Sequence, residues 1–69
     1  MTSLTFTLNG EPRQAAAPLT VRALLDQLGI DPRVVAVEHN RVVVKRARFA
    51  ETEIEANAEV EIVSFVGGG

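Results

Sequence analysis

No cysteine, tryptophan or tyrosine occurs in the 69 residues, and histidine and methionine occur once each. Without cysteine there is no disulfide framework, no thiolate zinc site and no cysteine nucleophile, so a reducing, cytoplasmic setting is expected. The N-terminal "MTSLTFTLNG" lacks the basic and apolar regions of a signal peptide. No stretch nears the roughly 20 apolar residues of a membrane span, so membrane insertion is not expected either. Basic charge is in deficit: 7 Lys and Arg against 9 Asp and Glu leave a net charge of −2. A nucleic-acid binder usually carries an excess of basic charge over one face, so neither nucleic acid nor membrane is an expected partner. His39 has no second His or Cys with which to complete a metal site. No nucleophile–base set is present. The expectation is a protein that binds no metal or cofactor of its own and is not an enzyme by itself.

What is present describes one small folded unit. Apolar residues make up 46% and charged residues 23%, the balance of a globular chain rather than a disordered one. The charges are segregated. Arg41, Lys45, Arg46 and Arg48 fall within "RVVVKRAR", which reads as a solvated strand edge. Glu51, Glu53, Glu55, Glu59 and Glu61 follow and lead toward the C-terminus, where they can steer a basic partner.

"SLTFTL" alternates, with Leu4, Phe6 and Leu8 on one face, the period of a half-buried strand. Asn9-Gly10 is the preferred pair for a two-residue type I′ hairpin turn, so "EPRQAAA" returns antiparallel, and Pro12 puts that strand at a sheet edge. Val21, Leu24, Leu25 and Leu28 then share one helix face. Thr20 is placed to cap its start and Gly29 to end it. After an Asp31-Pro32 turn, "RVVAVEH" reads as a strand buried in part on both faces, and "NRVVV" as a short return after a turn at His39-Asn40. A helical turn is expected near Arg46 to Ala50, with Phe49 and Ile54 dipping into the core. "EVEIVSF" closes the chain as a strand, Val60 and Ile62 inward and Glu59 and Glu61 outward.

This order gives an α+β fold, the helix covering the apolar sheet face and the last strand beside the first in the middle of the sheet. The expected core is Leu4, Phe6, Leu8, Val21, Leu24, Leu25, Leu28, Val37, Ile54, Val60 and Ile62. The sequence then finishes on "SFVGGG". Glycine is costly to order, so such a run is either a frayed or artificial terminus or an arm that reaches into something. A domain over residues 1–66 with a flexible glycine tail over 67–69 is the expected division. Continuing the alternation puts Val63 and Phe65 on the outer face with Glu59 and Glu61. Phe65 is then either a docking anchor or, if the strand bends, a lid over the core.

Taken together, "TFTLNGE", "TVRALLDQLG", "VAVEHN" and "EVEIVSFVGGG" carry a resemblance over essentially the whole length. The chain resembles the ThiS/MoaD family of ubiquitin-like sulfur carriers, and most of all its thiamine-biosynthesis branch. The resemblance implies a ubiquitin-like β-grasp fold, a mixed sheet of four to five strands with one main helix packed across it. It also implies that Gly69 is adenylated by an ATP-using, ubiquitin-activating-like adenylyltransferase (ThiF-like). Sulfur from a cysteine desulfurase or another donor then makes a covalent thiocarboxylate at Gly69, and thiazole synthase (ThiG-like) receives that sulfur. Gly67 and Gly68 would thread the partner's channel, and Phe65, Val63 and Glu61 would dock against it. One departure stands out: many relatives carry an Asp-Gly-Asp-like turn before the last strand, where this chain has Asn57-Ala58, which leaves the turn type open.

Three alternatives accompany this reading. A small subunit of molybdopterin synthase would use the same thiocarboxylate, but is commonly longer, with a proline before its diglycine. A protein modifier would end in an isopeptide bond. A regulatory β-grasp domain would make no use of its tail.

Overall fold

The computed structural model describes residues 2–65. The first hairpin forms where the sequence places it. Strands β1 (Ser3–Leu8) and β2 (Glu11–Ala16) pair antiparallel with Leu8 opposite Glu11, so the loop is Asn9-Gly10. Both residues have positive φ, 51° and 85°, as a type I′ turn requires. β2 lies at the sheet edge, where Pro12 has no ladder bond to lose.

Helix α1 (Val21–Leu28) starts and stops on local chemistry. The Thr20 hydroxyl accepts from Ala23 N–H at 3.1 Å. At the other end Gly29 adopts φ 70°, its N–H donates to Asp26 C=O, and Ile30 N–H donates to Leu25 C=O. That pair of bonds is a Schellman stop, which only a residue tolerant of the left-handed region allows cheaply. The first helical amides are satisfied from far along the chain: Val21 N–H donates to Thr52 C=O and Arg22 N–H to Phe49 C=O. The segment holding Phe49 and Thr52 is therefore not free loop but the other half of the helix cap.

β3 (Val35–His39) begins two residues later than expected, because Pro32–Val34 form a 3-10 turn. Asp31 caps that turn, its carboxylate accepting from the Arg33 backbone N–H at 2.9 Å and from the Arg33 guanidinium, also at 2.9 Å. These two donors hold the Asp31 carboxyl down at about 2, the guanidinium contributing most. A carboxylate depressed from about 3.9 in the unfolded chain stabilises the fold above pH ~4, and that contribution is lost as pH falls through about 2. Both side chains are exposed to solvent, so the contribution is small and damped by salt. A carbon-detected carboxyl titration is expected to give an Asp31 midpoint near 2, moving up in Arg33→Ala. An unperturbed midpoint in the wild type would refute the pairing.

The return strand β4 (Val42–Val44) pairs with β3 through a turn at Asn40-Arg41, one residue beyond the expected position. Asn40 and Arg41 both take positive φ, 53° and 67°. A 3-10 turn at Arg46–Arg48 follows, as the sequence suggests near that point. β5 (Glu59–Ser64) completes a five-stranded sheet in the order β2-β1-β5-β3-β4, parallel to β1 and antiparallel to β3.

The core lies between the helix and one sheet face: Leu4, Phe6, Val21, Leu24, Leu25, Val37, Ile54 and Val60 are buried, while Leu8, Leu28 and Ile62 are partly so. Leu19, Val35, Phe49 and Ala58 join them. Phe49, Ile54 and Ala58 come from the segment between β4 and β5, so the helix is not the only cover of the apolar face. The expectation that β3 is buried in part on both faces is corrected. Val35 and Val37 are buried but Ala36 between them is exposed, because none of the described residues packs over it on the far side of the sheet. In the Glu55–Ala58 turn, Asn57 takes φ 65° while Ala58 points into the core. The residue that tolerates the left-handed region occupies it, and the one that does not is spared.

Candidate functional site

β5 is the spine of the molecule, held on both sides, and it delivers its last residues to one end of the sheet. Antiparallel pairing sets Val37 opposite Ile62, Ala36 opposite Val63 and Val35 opposite Ser64, and Phe65 N–H still donates to Val34 C=O at 3.1 Å. The pairing with the β3 side of the sheet thus includes Phe65. The alternation holds to the same point: Val63 and Phe65 are 60% and 64% exposed, on the uncovered face with Glu61. Phe65 therefore does not bend over the core. Gly67, Gly68 and Gly69, and the boundary between residues 1–66 and 67–69, lie outside the described residues.

The electrostatics of that face follow from register. Glu61 stands directly opposite Glu38 of β3, with exposed Val43 of β4 on the other side of Glu38. Like charges directly opposite are unfavourable, and among the described residues neither carboxylate has an ion-pair partner. Glu59, farther from the exit, is 3.7 Å from the Arg41 guanidinium. The exit thus combines exposed valines, a phenylalanine and unpaired negative charge. Single exposed apolar residues are ordinary; a row of them beside one strand end is the usual mark of a contact surface. The basic cluster flanks β4 and occupies the turn after it, where Arg48 pairs with Glu51 at 3.2 Å.

His39 is not a turn residue but the last residue of β3. Half-buried, it accepts at Nε2 from Glu55 N–H, 3.1 Å away, and so pins the segment before β5. Among the described residues no group of three or more His, Asp or Glu side chains is placed to hold a metal ion. No described helix is long and apolar enough to cross a membrane.

Asn9 and Asn40, read in the sequence only as turn residues, also hold β5. Each opens a type I′ turn, and each turns its side chain onto β5. Asn40 Oδ1 accepts from Glu59 N–H at 2.9 Å, while Asn9 Oδ1 accepts from Ile62 N–H at 2.8 Å and its Nδ2 donates to Ile62 C=O at 3.3 Å. Asparagine at a turn is readable; its partner 53 residues away is not.

A mixed five-stranded sheet with parallel inner strands and one helix across it defines a ubiquitin-like β-grasp protein. The structure matches the crystal structure of the thiamine biosynthesis protein ThiS from Geobacter metallireducens with a TM-score of 0.82 and 35% identity, covering 96% of this chain and 100% of that one. The chain belongs to the ThiS family, whose family profile matches residues 6–69. It is 36% identical over 50 residues to the sulfur carrier protein ThiS of Bacillus subtilis, covering 72% of this chain and 76% of the relative. It is also 45% identical over 62 residues to the thiazole synthase of Paramagnetospirillum magneticum. There the match takes in 90% of this chain but only 19% of the much longer enzyme.

Proposed function

We propose that this chain is a sulfur carrier for thiazole formation in thiamine biosynthesis, with Gly69 as its reacting residue. The observation that carries the reading is the family match through residue 69, which takes in the three glycines. The uncovered apolar and acidic exit at the end of β5 supports it. In this scheme the α-carboxylate of Gly69 attacks the α-phosphorus of ATP on a ThiF-like adenylyltransferase. Pyrophosphate leaves and an acyl-adenylate remains. A cysteine desulfurase or another donor supplies the sulfur; where it arrives as a persulfide, a thiol reductant takes it to the sulfide level and is itself oxidised to a disulfide, and the sulfide displaces AMP, leaving the thiocarboxylate. Adenylation is needed because an α-carboxyl group, which ordinarily titrates at about 3.3–3.7, is ionised at neutral pH and is then a poor electrophile. Gly67 and Gly68 carry no Cβ, so three residues spanning at most roughly 10 Å thread a narrow channel without a clash. The chain is a co-substrate in this scheme, and all catalytic groups belong to its partners. The likeness to thiazole synthases supports a ThiG-like acceptor, and a cytoplasmic setting accompanies the reading.

The test is the intact mass after incubation with ATP, cysteine, a cysteine desulfurase, a thiol reductant and the adenylyltransferase of the same organism. An increase equal to exchanging one oxygen for sulfur is expected. No change, under conditions in which the Bacillus subtilis carrier reacts, would overturn the proposal.

Phe65, Val63 and Glu61 form the docking surface in this reading. Phe65→Ala is expected to weaken binding to the adenylyltransferase or to thiazole synthase by more than ~1 kcal/mol, as loss of an aromatic anchor does. Its melting temperature is expected to stay near wild type, because the side chain is 64% exposed. Unchanged affinity by calorimetry would remove Phe65 from the interface.

A further inference from the structure

We infer that Asn9 is a positioning residue for the reactive tail, its carboxamide replacing a rung of the sheet that the main chain cannot supply. The parallel register sets Thr7 beside Glu59 and Leu8 beside Val60, and Asn9 N–H donates to Val60 C=O at 2.9 Å. In a parallel ladder of this register the next bond runs from Ile62 N–H to the main-chain carbonyl of residue 9. Asn9, at φ 51°, has already turned away into the hairpin loop. Its side-chain Oδ1 takes up that bond at 2.8 Å, and Nδ2 adds a second to Ile62 C=O at 3.3 Å. The residue thus serves two ends at once: it sets the turn and grips β5 three residues before Phe65.

Position decides what the grip does. Beyond Val60, β1 offers β5 no further main chain, so its final stretch is held by β3 on one side and by Asn9 on the other. Ile62 lies between Glu61 and Val63, two of the residues that face a partner. Release of the grip frees the docking side chains of β5 and the strand end that bears Phe65. Asn40 supplies an internal control. It makes the same kind of side-chain bond to β5, from the same position of the same turn type, but at Glu59, the end remote from the tail.

This role rests on the carrier reading, and two readouts separate them. Asn9→Gly keeps a residue at home at positive φ, so the turn survives while both side-chain bonds go. Exchange of the Ile62 amide, followed by NMR on the protein alone, is expected to quicken by about tenfold, the factor a single hydrogen bond supplies. In ATP–pyrophosphate exchange with the adenylyltransferase of the same organism, the apparent KM for the carrier is expected to rise roughly tenfold with kcat within about twofold, the pattern of lost productive docking. Asn9→Asp keeps the Oδ1 acceptor and is expected to retain Ile62 protection and most of the affinity. Asn40→Gly is expected to leave KM unchanged. An unaltered Ile62 exchange rate in Asn9→Gly, or an equal rise in KM for Asn9→Gly and Asn40→Gly, would overturn the positioning role. If the wild-type protein supports no ATP–pyrophosphate exchange, the carrier reading falls and the role in docking falls with it, while the Ile62 measurement still reports on the grip.

Discussion

A single residue added after Gly69 is expected to abolish every step of sulfur transfer while leaving the melting temperature unchanged. The addition converts the α-carboxyl of Gly69 into an amide, and the new carboxyl stands one residue farther out, beyond the point at which the partner holds ATP. An amide has no carboxylate oxygen to attack phosphorus. The expected results are no ATP–pyrophosphate exchange dependent on the protein, no thiocarboxylate by mass and no thiazole product. Because the extension touches no core residue, thermal unfolding should coincide with that of the wild type. Gly68→Val leaves the carboxyl in place but adds a side chain where the carrier reading has the tail thread a channel shaped for none. A rate loss of roughly 100-fold is expected, since misplacing reacting atoms by about 1 Å costs that much. Full transfer by the extended protein, with the extra residue confirmed intact by mass before and after, would sink the carrier reading.

Leu25→Ala is the substitution with the largest expected effect on folding. Leu25 is fully buried, on the helix face shared with Val21 and Leu24, in the cluster that also holds Phe6, Val37 and Val60. Removing its isobutyl group leaves a cavity lined by side chains fixed in the sheet, and such deletions cost about 2–5 kcal/mol. A domain of this length has about 3–10 kcal/mol of stability in total. The change therefore removes a large part of the reserve, and it should appear in urea unfolding as a lower midpoint with the slope retained. A midpoint equal to wild type would mean that the helix does not pack on the sheet through this residue. Because β5 belongs to the same core through Val60, Leu25→Ala should also lower transfer activity near its melting temperature, yet not well below it.

The parts of the fold that could be read in sequence are those decided within a few residues. Thr20 and Gly29 mark the helix because an N-cap hydroxyl and a left-handed stop act on the nearest turn. Asn9-Gly10 marks the first hairpin for the same reason, and strict alternation from Glu59 carries correctly to the exposure of Phe65. The second hairpin turn is displaced by one residue because Arg41 at positive φ is poor local chemistry. What fixes it there is distant: Asn40 bonded to Glu59, and Arg41 beside the Glu59 carboxylate. The start of β3 moves for a local reason, Asp31 capping a 3-10 turn that begins at Pro32. The stretch between Phe49 and Ala58 has no periodicity, since its shape is dictated by the helix amides and core space it fills. At the exit, the facing of Glu61, Val63 and Phe65 was legible. The opposition of Glu61 to Glu38 and the grip of Asn9 on Ile62 both depend on strand order, which no short window of sequence contains.

The central place of β5 also governs how the chain can reach its fold. Without that strand the sheet would divide into two hairpins, β1–β2 and β3–β4, each with a bare inner edge. Joining them means closing a loop of more than 50 residues between Asn9 and Ile62, the kind of distant pairing that slows folding relative to helical proteins of equal size. Until it closes, the inner edges of β1 and β3 are open templates, each bearing valines, leucine or phenylalanine, and a second unfolded molecule can pair there as readily as the proper strand. Slow or weakened docking of β5 should therefore show itself as concentration-dependent loss during refolding, with soluble yield falling as protein concentration rises.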